Sequence, residues 1–65
     1  MTDTEQMVLD VITRGHNKNG YSPLNTDIAR ELGYSRQWID QVVNQLVEKG
    51  QLRKLRKGLV VPVDN

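Results

Sequence analysis

Apolar residues recur along this chain in three helical stripes, followed by two short strand candidates. In the first stripe, Met7, Val8, Val11 and Ile12 share one side of a helix predicted over Glu5 to Arg14. Thr2 or Thr4 is placed to cap it, acidic residues occupy its first turn, and Arg14-Gly15 suits its end. Gly15-His16-Asn17-Lys18-Asn19-Gly20 reads as a loop, and Tyr21-Ser22 as a short strand or extended arm. Pro23 turns Ser22 away from helical geometry.

A second, short helix is predicted over Thr26 to Leu32, capped by Asn25 or Thr26 and burying Ile28, Ala29 and Leu32. Gly33 ends it where a left-handed backbone is required. Ser35 caps a third helix whose apolar side is Ile39, Val42, Val43, Leu46 and Val47, with Gly50 stopping it. Its β-branched residues are poor helix formers, so burial must hold it in place. Gln51–Leu55 and Leu59–Val63 are strand candidates joined by Arg56-Lys57-Gly58. Pro62 has no ladder donor, which makes the last strand an edge.

With 65 residues the chain makes one domain, 1–65, that buries roughly 60% of its unfolded surface. A 37% hydrophobic and 26% charged composition suits a small globule rather than a disordered tail. There is no cysteine, so neither a disulfide nor a thiolate metal site forms. No apolar run approaches the ~20 residues that span a bilayer. The polar, acidic start carries no secretory signal, and a cytoplasmic location follows by default.

Net charge is only +1, but its distribution is uneven. Met1 to Ile12 carries Asp3, Glu5 and Asp10 with no cation, whereas Gly50 to Val63 carries Arg53, Lys54, Arg56 and Lys57 with no anion. Such polarity gives a folded domain one face attractive to an anion. Four cations that simply solvate a hairpin are the plainer reading.

The run Asn25 to Leu46 has the pattern of a helix-turn-helix. Counting from the small Ala29, Gly33 comes four residues later, Ile39 ten and Val42 thirteen. Ala29 allows two helices to cross closely, Gly33 makes the turn, and Ile39 and Val42 face inward. Together with Ser22-Pro23, Asp27-Ile28-Ala29, Leu32-Gly33-Tyr34-Ser35, Leu46 and Glu48-Lys49-Gly50-Gln51-Leu52, these residues resemble the winged helix-turn-helix superfamily over nearly the whole chain. The DNA-binding domain of the LexA repressor is the nearest likeness, with MarR-type regulators as cousins. The resemblance implies an α+β, mainly α fold of three helices and a C-terminal two-stranded β-hairpin wing. It also implies a recognition helix at about 35–49 for the DNA major groove and a wing at about 51–63. The protease domain of the LexA repressor has no counterpart here, so autocleavage is not carried over.

An inward Ile39, Val42, Val43 and Leu46 turns Arg36, Gln37, Asp40, Gln41 and Asn44 outward. Arg binds guanine bidentately, Gln and Asn bind adenine, and Asp accepts from cytosine. The alternative is an ordinary solvated face, although it is rich in amides and poor in Glu and Lys. Asp40 repels phosphate and is read as a salt-bridge partner of Arg36 rather than a base reader. Trp38, beside Ile39, packs in the core, donates its indole N–H to a phosphate, or anchors a protein partner.

The resemblance places Arg53, Lys54, Arg56 and Lys57 at the minor groove or phosphates. Ser22, Asn25 and Thr26 offer phosphate donors as well as caps. Ser35, Arg36, Gln37, Trp38, Gln41, Asn44, Arg53, Lys54, Arg56, Lys57 and Thr26 are therefore the candidate DNA contacts. His16, alone in a polar loop, is read as solvated, and Tyr34 in the turn as water-facing or near a phosphate. One histidine, no cysteine and no apolar carboxylate pair make no catalytic constellation, so no enzyme, metal, cofactor or small-molecule substrate is expected. Double-stranded DNA is the expected partner, bound by a homodimer or by side-by-side copies because one domain covers one half-site. A small transcriptional regulator or a phage, plasmid or mobile-element protein fits the chain. The alternative is a winged helix used only for protein–protein interaction in a larger assembly, and RNA is a weaker third.

Overall fold

The computed structural model describes residues 1–63, so residues 64 and 65 of the expected 1–65 domain lie outside it. The chain forms α1 (Asp3–Asn19), α2 (Asn25–Leu32), α3 (Arg36–Glu48), β1 (Leu52–Arg56) and β2 (Leu59–Pro62). This is the mainly α, α+β layout of a winged helix: three helices and a C-terminal antiparallel hairpin.

α1 begins at a capping box. Thr2 Oγ1 accepts the Glu5 N–H at 3.2 Å, and the Thr2 N–H donates to Glu5 Oε1 at 2.9 Å. The helix runs 17 residues, straight through the stretch read as a loop, and ends at Gly20 rather than Gly15. His16 therefore sits half-buried on a helix, not in a loop. Gly15 is explained by packing instead of termination. A Cβ there would lie 2.8 Å from Pro23 Cδ, so glycine is what lets the Ser22-Pro23 segment press onto α1. Tyr21 and Ser22 form no strand. Met7, expected in the buried stripe, is 40% exposed, and the inward line is Glu5, Val8, Val11 and Ile12.

α2 starts one residue earlier than predicted. Leu24 holds the N-cap position without a side-chain cap, and Asn25 and Thr26 lie inside the helix. Gly33 closes it at φ 79°, and the N–H groups of Gly33 and Tyr34 both donate to the Ala29 carbonyl, at 2.9 and 3.0 Å. α3 follows after the three-residue turn Gly33-Tyr34-Ser35, its start capped by Ser35 Oγ, which accepts the Trp38 N–H at 3.1 Å. The chain leaves α3 through Lys49 and a left-handed Gly50.

The strands are offset slightly from their predicted limits, and the hairpin closes through Lys57-Gly58. Leu52 pairs with Pro62, Arg53 with Val61, Lys54 with Val60 and Arg56 with Leu59. The register therefore slips at Leu55, an extra, exposed residue that bends the wing. All three helices and β1 contribute to the core, which comprises Val8, Val11, Ile12, Ile28, Ala29, Ile39, Val42, Val43, Leu46 and Leu52. Leu9, Leu32, Val47 and Val60 pack against it. Among the described residues, no helix is long and apolar enough to cross a membrane.

Candidate nucleic-acid interface

Burial of Ile39, Val42, Val43 and Leu46 fixes the rotation of α3. The face opposite them carries Gln37, Gln41, Asn44 and Glu48, all exposed. Arg36 and Asp40 occupy the flank toward α2 and the wing. Trp38 occupies the other flank.

Three elements meet beside the first flank. The start of α2 contributes Leu24, Asn25 and Thr26, α3 contributes Arg36, Asp40 and Asn44, and the wing turn contributes Lys57 and Gly58. These residues line one open groove. A smaller cleft adjoins it, between Ser22–Asn25, the Val43-Asn44 side of α3, and Lys54 with Val60 on the wing. Of the predicted contacts, Thr26, Arg36, Asn44 and Lys57 line the groove, and Lys54 joins Asn44 in the adjoining cleft. The groove holds two cations, Arg36 and Lys57, against one carboxylate, Asp40. Ser22 Oγ, buried in the cleft wall, has no hydrogen-bond partner among the described residues.

The other predicted contacts lie elsewhere. Gln37 and Gln41 project from the outermost ridge of α3, outside the groove lining. The Ser35 hydroxyl is taken up by its cap. Strand alternation turns Arg53 to the face opposite Leu52 and Lys54, and Arg56 stands exposed at the end of β1. Trp38 is 40% exposed, which corrects the core-packing reading. Its position beyond Val42 on the wheel carries it past the interior.

Two interactions escaped sequence reasoning. Asn25 Nδ2 donates to Asp40 Oδ1 at 2.8 Å, linking α2 to α3. The expected Arg36–Asp40 pair is present, with Nε 3.9 Å from Oδ2, and it is long and exposed. Nothing local in the sequence announces a bond between residues 15 apart. The second is Glu5, only 2% exposed, whose carboxylate receives the Lys49 ammonium at 3.0 and 2.8 Å. The Lys49 hydrogen bond and the Thr2 N–H together hold the Glu5 carboxyl down at about 2. Its signal was present: Thr2 and Glu5 have capping-box spacing, and Glu5 is in phase with Val8 and Ile12.

Comparison with protein-family models, curated proteins and solved structures finds no match to this chain. Among the described residues, no group of three or more His, Cys, Asp and Glu is placed to hold a metal ion.

Proposed function

We infer that this chain is a sequence-specific double-stranded DNA-binding domain, acting as a small transcriptional regulator or a phage or plasmid DNA-binding protein in the cytoplasm. α3 enters the major groove, and the basic wing lies along the neighbouring backbone. One observation carries the reading. The start of α2, Arg36 and Asn44 of α3 and Lys57 of the wing border one groove beside the exposed amide ridge of Gln37 and Gln41, while the apolar side of α3 is buried. That arrangement separates two tasks. Gln37, Gln41, Asn44 and Arg36 have base-edge chemistry. Lys54, Lys57, Arg53, Arg56 and the exposed donors of Thr26 suit phosphate oxygens. The winged helix-turn-helix resemblance to the LexA repressor and MarR-type domains supports the same assignment. No substrate, cofactor or catalysis enters it, and a homodimer or adjacent copies would extend recognition beyond one half-site.

A second reading is favoured by exposed Tyr34 and Trp38, which suit a protein-interaction module. Salt titration of duplex binding separates the two. Neutralising ~4–6 phosphates gives a slope of log K against log salt near −4 to −5. An interaction module gives no duplex affinity.

A further inference from the structure

Asp40 is out of place electrostatically. It lies in the groove with Arg36 and Lys57, on the side proposed to meet a polyanion. Its geometry resolves the conflict. Oδ1 is fastened to Asn25 Nδ2 at 2.8 Å, so the carboxylate is turned toward α2. Oδ2 is left 3.9 Å from Arg36 Nε, at the outer limit of an ion pair. The Arg36 side chain remains 72% exposed and its terminal nitrogens are uncommitted to Asp40. A carboxylate free to rotate could close both oxygens onto the guanidinium fork and occupy it. One tethered by Asn25 draws Arg36 along the helix by charge alone. Its negative charge also disfavours a phosphate on that side of Arg36, which leaves the fork open to a base edge.

We propose that Asn25 is a positioning residue for sequence reading: acting through Asp40, it aims Arg36 at a base edge, so discrimination depends on a chain of three residues spanning both helices. This rests on the DNA-binding reading above. Guanine, with two acceptors on its major-groove edge, is the base that an exposed arginine fork in this setting selects.

The test begins by selecting the preferred duplex of the unsubstituted protein from a random pool. Affinities for that duplex and for a random one are then compared across variants. Asn25→Ala removes the tether and should lower the ratio of selected to random affinity about tenfold, the discrimination of one well-placed bidentate contact. Affinity for random duplex should stay within about twofold, since no charge is lost. Asn25→Leu keeps the size and favours the helix, but loses the donor without adding charge. It should lose the same discrimination, which removes helix destabilisation as an explanation. Asn25→Ala combined with Asp40→Ala should discriminate no worse than Asp40→Ala alone, because the two act in series. A ratio unchanged in Asn25→Ala or Asn25→Leu, or losses that simply add in the double variant, would overturn the positioning role while leaving DNA binding intact. An unsubstituted protein with no duplex affinity overturns both.

Discussion

The Glu5 carboxylate and the Lys49 ammonium, 44 residues apart in sequence, meet at 2.8 Å and tie the first turn of α1 to the end of α3. The same carboxylate closes the α1 capping box, so one buried group serves a local and a tertiary contact. Its pKa falls from 4.5 to about 2 on folding. Between those values the unfolded chain binds the proton and the folded one does not, so acid favours unfolding. The contribution is complete above pH 4.5 and is lost progressively toward pH 2. Melting temperature against pH should therefore fall across this window in the native protein. Glu5→Gln should be less stable at neutral pH and show a shallower acid fall. Parallel profiles for the two would disprove the assignment.

Gly15 is expected to resist the usual gain from filling a helical glycine. Alanine is intrinsically better in a helix by about 1 kcal/mol. Here its methyl would meet the Pro23 ring at 2.8 Å, and a ring cannot swing aside like a flexible side chain. Overpacking of this kind costs ~1–3 kcal/mol. Gly15→Ala should therefore be neutral to about 2 kcal/mol destabilising in urea denaturation. A clear stabilisation would mean that Pro23 does not press on α1.

Ile39, fully buried, is a core member of α3. Ile39→Ala should cost ~2–5 kcal/mol and Ile39→Val ~0.5–1.5 kcal/mol. In so small a domain a loss of that size can abolish the cooperative transition, and the valine variant keeps the measurement readable by chemical denaturation. Equal midpoints for Ile39→Val, Ile39→Ala and the native protein would place this residue outside the core.

Wing and helix substitutions should separate on DNA. Arg56→Ala with Lys57→Ala should weaken binding to all sequences alike and make the salt slope shallower by about 2. Gln37→Ala or Gln41→Ala should leave that slope alone and alter preference among sequences. Competition binding on selected and random duplexes distinguishes these outcomes, and identical effects on both duplexes would remove the division between positioning and reading.

Much of the helical core was legible because a helix advertises its buried side by residue spacing. Ile39, Val42, Val43 and Leu46 sit at that spacing, and all four are buried. Ser35 and Gly33 act as the cap and the turn that their residue types suggest, since capping and left-handed backbone are local properties. The end of α1 was misread for a related reason. Glycine at position 15 resembles a stop signal, but its cause is Pro23, eight residues ahead, and close approach leaves no periodic trace. Trp38 stays open in the sequence because its offset from Ile39 puts it at the margin of the stripe, where composition does not decide exposure.

Local runs of residues are enough to set the order of elements, the buried side of α3 and the basic character of the wing. These follow from side-chain spacing, backbone preference and charge count, all of which are carried by neighbouring residues. Long-range packing, by contrast, brings Asn25 to Asp40 and Lys49 to Glu5, and sets Thr26, Arg36, Asn44 and Lys57 around one groove while Arg53 turns away. Those facts depend on how the helices cross and where the hairpin slips at Leu55, and crossing angle and register arise from the packing of distant side chains rather than from any local run of the chain.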